Sequence, residues 1–503
     1  MRAAKSATSG RWRRIVARLL AVLLALYVLL LIPGAAPPAV KGAGEKAFAW
    51  QRDAYWSELE SGFLHAKAAG CEGLATSVET AFTRIQRQLD SIGSTNLLPS
   101  DPNFGALETN FFQLAPMVAA CPVHLAEFLK TFSRLRNLVK RQSEHWPMND
   151  QETREQLYQL LYGGRAAVEE AILQAPPESF QPLLVADDEP SATPSAVVRG
   201  VTLHSGDILI SRGGAATSAL IARGNDFLGN FSHVALVYVN PVTTTVSVIE
   251  AHIECGVAVS SIQQYLADTK LRIMVLRPRA DLPALVAEPL LPHRAASNAL
   301  YRATSRHIPY DFEMDYSDPT KQFCSEVASS AYHSVGLTLW MGQSHLSSHG
   351  LVSWLAALGV RHFETQEPSD LEYDPQLVVV GEWRDPQTLF KDHMDNAVID
   401  AMLERAEAGE KLDYNHWMLP VARLAKAYSV VKNWFGGVGP VPEGMSATTA
   451  LRVEQLKSAH AEIKARLLEK VAAYKSKRGY TPPYWELVRM ARDAMRESPG
   501  VSP

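Results

Sequence analysis

A histidine, a glutamate and a cysteine follow one another over about ninety residues of the chain, and this trio could carry out acyl transfer. His233, Glu250 and Cys324 are each surrounded by apolar neighbours, which indicates a packed site. A thiol can act as nucleophile, an imidazole as its base, and a carboxylate as the group that orients the imidazole. The three residue types therefore point to cysteine-dependent catalysis.

The local pattern places Cys324 at the start of a helix, after the polar loop 315–320. A helix N-terminus carries partial positive charge and free N–H groups, which can stabilise a thiolate and later an oxyanion. The other interpretation is a buried cysteine that packs as a small apolar residue. Its position at the helix start favours the nucleophile.

His233 opens one predicted strand and Glu250 ends another, and the two strands are expected to pair in antiparallel fashion. A carboxylate in that position could accept the second imidazole N–H and fix the tautomer. The alternatives are a structural histidine and an exposed acid at a strand end. His252 and Glu254 remain candidates for the same orienting role, since alternation places both on the face of Glu250.

The composition is that of an ordinary globular protein with more than one domain. The chain has 503 residues, with 47% hydrophobic and 20% charged residues, and this length suits two or three domains. A formal net charge of −4 argues against a general nucleic-acid binder. Four cysteines are too few for a disulfide scaffold.

The N-terminus predicts export. Several arginines precede an apolar segment, and residues 15–32 are long enough to cross a bilayer if Arg18 reaches the interface. A signal peptide could be cleaved at residues 34–36, but Pro37 and Pro38 follow at once. An uncleaved inner-membrane anchor is therefore favoured, with the bulk of the chain in the periplasm or outside the cell, whereas cleavage and export is the alternative.

Residues 45–175 predict a bundle of four or five helices, after a segment of anchor and linker at 1–44. Apolar spacing predicts helices over 45–69, 74–92, 123–139 and 151–173, and Asp101-Pro102-Asn103 is a start signal for another. Cys71 and Cys121 both lie at apparent helix boundaries. They are either a disulfide, as export would allow, or two buried free thiols.

A Pro-, Ser- and acid-rich linker is predicted at 176–197, and the pattern then changes to short strands. The predicted strands are 207–210, 234–239, 246–249, 256–259, 272–277 and 377–380, and the predicted helices are 295–305 and 324–335. Residues 387–503 predict an amphipathic helical C-terminal region. The fold class is therefore α+β, with an antiparallel sheet between helical regions.

Residues 198–386 resemble a known family, the circularly permuted papain-like (NlpC/P60-type) cysteine hydrolases of the YiiX/YaeF-like group. The motifs that carry the resemblance are Gly206-Asp207-Ile208-Leu209, Phe231-Ser232-His233-Val234-Ala235, Val248-Ile249-Glu250-Ala251 with Gly256-Val257, Pro309-Tyr310-Asp311-Phe312, Phe323-Cys324-Ser325-Glu326-Val327, and Pro368-Ser369-Asp370-Leu371 with Val378–Val380 and Trp383-Arg384. The resemblance implies Cys324 as nucleophile, His233 as base and Glu250 as the orienting acid.

Two positions depart from the family pattern. His307-Ile308 replaces a small, often glycine-containing turn, and Cys255 is not part of the signature. Tyr310 is a candidate for contact with the oxyanion or substrate, with structural packing as the alternative. No cofactor is expected, and no metal site is predicted, because His345 and His349 lack a third ligand at suitable spacing.

The expected function is that of an envelope cysteine hydrolase that forms an acyl-enzyme on Cys324. A cell-wall peptide amidase or endopeptidase is favoured, since export would place the site beside the cell wall. A lipid or N-acyl amide hydrolase or acyltransferase, and a non-catalytic envelope scaffold, are the alternatives. The expected partners are a peptide or acyl-amide substrate and the inner membrane, through residues 15–32, with no nucleic acid.

Overall fold

The computed structural model describes residues 5–34, 40–176, 179, 181–185 and 189–497. The candidate cleavage site at 35–36 with the prolines that follow, and residues 177–178, 180 and 186–188 of the predicted linker, lie outside the described residues. The helices are α1 (Lys5–Leu31), α2 (Asp53–Gly93), α3 (Pro102–Ala120), α4 (Leu125–Ser143), α5 (Gln151–Gln174), α6 (Ala216–Arg223), α7 (Ile262–Ala267), α8 (Pro283–Ala287), α9 (Leu291–Ser305), α10 (Cys324–His333), α11 (His349–Leu358), α12 (Pro386–Glu407), α13 (Leu419–Trp434), α14 (Ala447–Arg478) and α15 (Tyr484–Arg496). The strands are β1 (Leu183–Val185), β2 (Ser195–Val198), β3 (Val201–His204), β4 (Ile208–Gly213), β5 (His233–Val239), β6 (Val246–His252), β7 (Gly256–Ser261), β8 (Lys270–Pro278), β9 (Ser344–His345), β10 (Glu364–Thr365) and β11 (Leu377–Arg384).

Seven strands form the central sheet, in the order β1-β11-β8-β4-β5-β6-β7, and every neighbouring pair is antiparallel. Helices α9 and α10 pack on one face around Val234, Leu236 and Ile249. The β2–β3 hairpin and α7 cover the other face. The predicted α+β class is confirmed. The sequence patterns missed β1, because only three residues pair at this sheet edge.

The N-terminal helical region differs from the sequence prediction at its start. Helix α2 begins at Asp53, so the prediction of a helix from residue 45 is wrong for the first eight positions. Phe48 and Trp50 lie in an irregular segment before α2, and the Phe48 ring contacts the Tyr158 ring of α5 at a centroid distance of 4.8 Å. The spacing of Phe48 and Trp50 therefore reflects packing against α5 and not a shared face of a helix.

Cys71 and Cys121 form a disulfide, with their Cα atoms 5.3 Å apart. Cys71 follows Gly70, whose positive φ of 69° breaks the regular course of α2. Cys121 directly follows the last residue of α3 and is fully buried. The bond therefore joins α2 to the end of α3.

Replacing Cys71 and Cys121 together with serine is expected to lower the free energy of unfolding by about 2–4 kcal/mol, because the crosslink restricts the unfolded chain. Denaturant unfolding of the purified full chain measures the effect. A Cys255→Ser variant is the matched control, since Cys255 is a free thiol outside this bundle. Equal stability of the double variant and the control would contradict the prediction.

Buried ion pairs connect the N-terminal helices, the sheet and the C-terminal helices. Glu169 of α5 accepts a hydrogen bond from Arg272 of β8 at 2.6 Å and contacts His393 of α12 at 3.0 Å. Asp392 of α12 pairs with Arg272 at 2.6 Å and with Arg212 of β4 at 3.0 Å. Because all five side chains are buried, the three regions pack on one another as parts of one molecule.

Helix α1 is apolar over Arg14–Leu31, which is long enough to cross a membrane, and none of that window is buried. This property is compatible with a single N-terminal membrane pass or with a signal sequence. The predicted helical C-terminal region is present as α12–α15, and the opposite charges of Glu462 and Arg466, four residues apart on α14, lie at 3.4 Å.

Candidate active site

Cys324 is the first residue of α10, as the sequence predicted. Phe323 before it is extended, with φ −90° and ψ 175°, and its backbone N–H donates to the carboxylate of Glu326 at 2.8 Å. This bond satisfies one N–H at the helix start and fixes where the helix begins. Helix α10 packs on β5, and the backbone of Val234, the residue after His233, hydrogen-bonds to the Cys324 thiol.

The strand register brings His233 and Glu250 together. Glu250 on β6 lies opposite Ala235 on β5, so His233, two residues before Ala235, is its diagonal neighbour on the same face. The Nε2–H of His233 donates to Oε2 of Glu250 at 2.9 Å. The hydrogen bond leaves Nδ1 of His233 as the nitrogen that can accept a proton.

Two further side chains hold the Glu250 carboxylate. Ser260 of β7 donates its hydroxyl to Oε1 at 2.9 Å, and Nε2 of His252 lies 3.3 Å from the same oxygen. His252 therefore binds the acid and does not replace it. Glu254 is exposed in the turn between β6 and β7, and His233 bonds to Glu250 instead. The alternative in which Glu254 orients the imidazole is therefore not supported.

The electrostatics keep Glu250 charged. Burial opposes ionisation of this carboxyl, but the hydrogen bonds from His233 and His252 outweigh burial and hold its pKa well below its usual range. Burial lowers the pKa of His233, although Glu250 acts in the opposite direction. His233 is thus neutral near pH 7 and is able to act as a base. Its side chain keeps 19% exposure, against 3% for Glu250, so a substrate can reach the imidazole.

The Cys324 thiol differs from the sequence expectation. Burial raises its pKa to about 12, while hydrogen bonds from the Val234 backbone and from Ser325 act in the opposite direction. The helix start acts in the predicted direction, since the Ser325 backbone lowers the pKa of the thiol, but burial is the larger effect. A neutral thiol needs a base that removes its proton during attack.

Tyr310 is partly buried near the thiol. Its ring meets the ring of Phe312 edge-on at a centroid distance of 5.0 Å. Burial raises the pKa of Tyr310 well above its usual value, and the charge of a Cys324 thiolate would raise it further. The tyrosine is thus a neutral O–H donor close to the nucleophile, which fits the predicted contact with oxyanion or substrate, and that role stays a prediction.

The segment before Tyr310 is shaped by β7. Val257 donates its backbone N–H to the carbonyl of Ile308 at 2.9 Å. Gly256 has a φ of +73°, and a Cβ atom there would lie 2.1 Å from the same carbonyl oxygen. Only glycine therefore fits at position 256. The close approach of this glycine to the Ile308 carbonyl accommodates His307-Ile308, which replace the small turn of the family pattern. Cys255 is a free, partly buried thiol whose pKa burial raises, which suits an unreactive residue.

Sequence reasoning missed Glu367, an acid that interacts with the thiol. It is buried, its Oε2 has no hydrogen-bond partner, and burial raises its pKa well above the usual range. Its charge would raise the pKa of both Cys324 and Tyr310, so all three groups are close. The residue lies one position before the Pro368–Leu371 motif, and a buried acid has no signature in sequence.

The family comparison agrees with this geometry. Residues 202–381 match the family model described as permuted papain-like amidase enzyme, YaeF/YiiX, C92 family. This segment is a permuted papain-like amidase domain. The resemblance noted from the motifs is thereby confirmed, and the chain carries a thiol-dependent hydrolase domain. No curated protein and no solved structure shows significant similarity to the chain.

The amidase domain contains all three predicted site residues and Tyr310 within the matched segment. It includes most of β3, strands β4 to β10, helices α6 to α11, and most of β11. Among the residues that the structure describes, no group of three or more His, Cys, Asp or Glu side chains is arranged to hold a metal ion.

Proposed function

We propose that this chain is a membrane-anchored cysteine amidase in which Cys324 is the nucleophile, His233 the general base and Glu250 the acid that orients His233. The observation that supports this assignment best is the 2.9 Å hydrogen bond from His233 to the buried Glu250. His233 lies on β5, the strand against which the Cys324 helix packs. A buried acid, an imidazole and a thiol in this order are the parts that acyl transfer requires.

The reaction begins when Nδ1 of His233 removes the thiol proton as Sγ attacks the carbonyl carbon of the substrate amide. The carbonyl π electrons move to oxygen, and the oxyanion accepts hydrogen bonds from N–H groups at the start of α10. When the intermediate collapses, the C–N bond breaks and the amine leaves with the proton from His233. A thioester on Cys324 remains.

Water completes the cycle. His233 removes a proton from a water molecule, whose oxygen attacks the thioester carbon, and the C–S bond breaks to release the acid. The proton returns to the thiolate, so the free thiol is restored. Glu250 stays ionised throughout and stabilises the imidazolium that forms twice in the cycle.

The substrate class is proposed together with a position of the domain in the cell envelope, which is itself part of the proposal. A peptide amide of the cell wall is the first candidate, because an N-terminal anchor of the α1 type would place the domain outside the inner membrane. An N-acyl or lipid amide is the second candidate. It is favoured by an exposed apolar surface on α13, whose following segment packs against Phe312 beside the site.

The test is to incubate the detergent-purified full chain with a panel of muropeptides and a panel of N-acyl amides. We expect one panel to be hydrolysed and the denatured protein to carry an acyl adduct on the peptide that contains Cys324, as read by mass spectrometry. A Cys255→Ser variant should retain the adduct. Turnover with the adduct on another residue, or no turnover of any amide in either panel, would contradict the proposal.

A further inference from the structure

Helix α13 exposes a continuous apolar surface. Exposed apolar side chains form a stripe along the helix, in which Leu424 and Trp434 are 61% and 78% exposed. Trp417, before the helix, and Phe435, after it, extend this stripe. We call this stripe the α13 apolar surface, and it consists of Trp417, Val421, Leu424, Tyr428, Val431, Trp434 and Phe435. Most of these residues follow one another at intervals of three or four, so they share one side of the helix.

The opposite side of α13 is already packed. Leu419, Ala422 and Ser429 are buried, and the helix contacts α14. The α13 apolar surface is therefore a second apolar side of the helix, separate from the side that packs into the protein. A soluble monomer rarely exposes a patch that combines this many large apolar side chains, so the surface calls for a partner.

The α13 apolar surface is next to the helix that can span a membrane. The hydroxyl of Tyr27 donates to the carbonyl of Trp417 at 2.8 Å, and Arg423 donates to the carbonyl of Leu30 at 2.8 Å. Leu30 lies in the last turn of α1, where carbonyls have no intrahelical donor. Because the end of a membrane span lies at a membrane surface, these bonds place α13 at that level.

The charge of the segment fits an anionic membrane surface. Residues 416–438 contain no acidic side chain, while Arg423, Lys426 and Lys432 are basic. The aromatic residues also fit, because tryptophan and tyrosine concentrate at the boundary between headgroups and acyl chains. Arg423 and Lys426 donate to the backbone carbonyls of Leu30 and Pro442, and the exposed Lys432 is the one that can meet anionic headgroups. An amphipathic helix with an apolar side and basic residues commonly lies in the plane of that boundary.

We infer that the α13 apolar surface binds the lipid bilayer as an interfacial helix beside the α1 span. The inference rests on the membrane anchor of the proposed function and adds a second membrane contact. The apolar side chains lie about 5–10 Å below the boundary between headgroups and acyl chains.

The membrane contact brings the active site close to the bilayer. The segment after α13 returns to the amidase domain, where Glu443 contacts His307 at 3.0 Å. A Cβ atom on Gly444 would lie 2.5 Å from Phe312, whose ring contacts that of Tyr310. The wall of the site is thus continuous with the interfacial helix, so the enzyme reaches substrates at the membrane surface.

The test uses full-length protein in vesicles of phosphatidylcholine and phosphatidylglycerol. Cys255→Ser and Cys324→Ala remove the free thiols, and a nitroxide is attached after Leu424→Cys or Val431→Cys. Val242→Cys is the matched control, because Val242 is exposed and apolar but lies beyond the end of β5 opposite to His233. We expect the labels at 424 and 431 to be accessible to oxygen and protected from a water-soluble nickel chelate, and the label at 242 to show the reverse.

Labels at 424 and 431 that are as accessible to the nickel chelate as the label at 242 would overturn the inference. Carbonate extraction of the same vesicles tests the α1 anchor separately, since a spanning helix resists it. Label depth is read only on protein bound to vesicles, so a failed anchor and a failed α13 contact give different results. Amidase activity is assayed on the unlabelled wild-type protein, which keeps Cys324, in detergent with a soluble amide, and is therefore independent of both membrane contacts.

Discussion

Replacing Cys324 with serine is expected to lower kcat for amide hydrolysis by about 10⁴-fold. The reason is that a serine hydroxyl at the same position is a weaker nucleophile than the thiol and is not easily deprotonated by an imidazole. Steady-state hydrolysis of whichever amide the protein cleaves measures the loss. The fold should be unchanged, because the substitution is nearly isosteric in a buried site.

Cys255→Ser is the control for Cys324→Ser, since these two are the free cysteines of the described chain. Cys255 precedes Gly256 at the start of β7 and is expected to be dispensable, with kcat within about twofold of the wild type because the proposed chemistry uses one thiol. If Cys324→Ser retained activity, or if both variants lost it equally, Cys324 would not be the nucleophile.

Sequence reasoning could predict the elements of the site because each has a strong local signature. The strand of His233, the strand of Glu250 and the helix of Cys324 are short, apolar and bounded by turn residues, and the structure has each of them at or near the predicted position. The antiparallel pairing of β5 and β6 also follows from the short connection between them. Placing Glu250 diagonally from His233 then depends only on register.

The properties that depend on burial could not be predicted in the same way. The helix start at Cys324 correctly indicated position, but the pKa of the thiol is set by the protein packed around it. Glu367 and Ser260 reach the site from segments whose sequences show no catalytic pattern. The irregular segment with Phe48 and Trp50 has helical spacing by coincidence, since its rings pack on residues distant in sequence.

The α13 apolar surface shows the limit of apolar periodicity. A stripe at intervals of three and four residues normally faces the protein core, whereas the prediction of an amphipathic C-terminal region rests on the spacing of its charges. Here the stripe faces outward, because α14 already occupies the other side of the helix. The same pattern therefore describes a core helix and a membrane-surface helix, and only tertiary contacts separate them.

Replacing Glu250 with glutamine is expected to lower kcat by about 10²–10⁴-fold. The amide retains the shape of the carboxylate but cannot stabilise the imidazolium, and its NH₂ group can turn the imidazole to the wrong tautomer. The pH profile provides a second readout. His233 must be neutral to accept the thiol proton, so activity rises with pH through the pKa of His233.

The direction of the change in the pH profile follows from the contacts. Burial lowers the pKa of His233, and Glu250 raises it by hydrogen bond and charge. Removing that charge lowers the pKa further, so the acid limb of kcat/KM should move to lower pH while the plateau falls. Glu254→Gln is the matched control, because that exposed carboxylate lies in the same turn region and His233 bonds to Glu250 instead. An acid limb that stays in place in Glu250→Gln, or that moves equally in Glu254→Gln, would show that Glu250 does not orient the base.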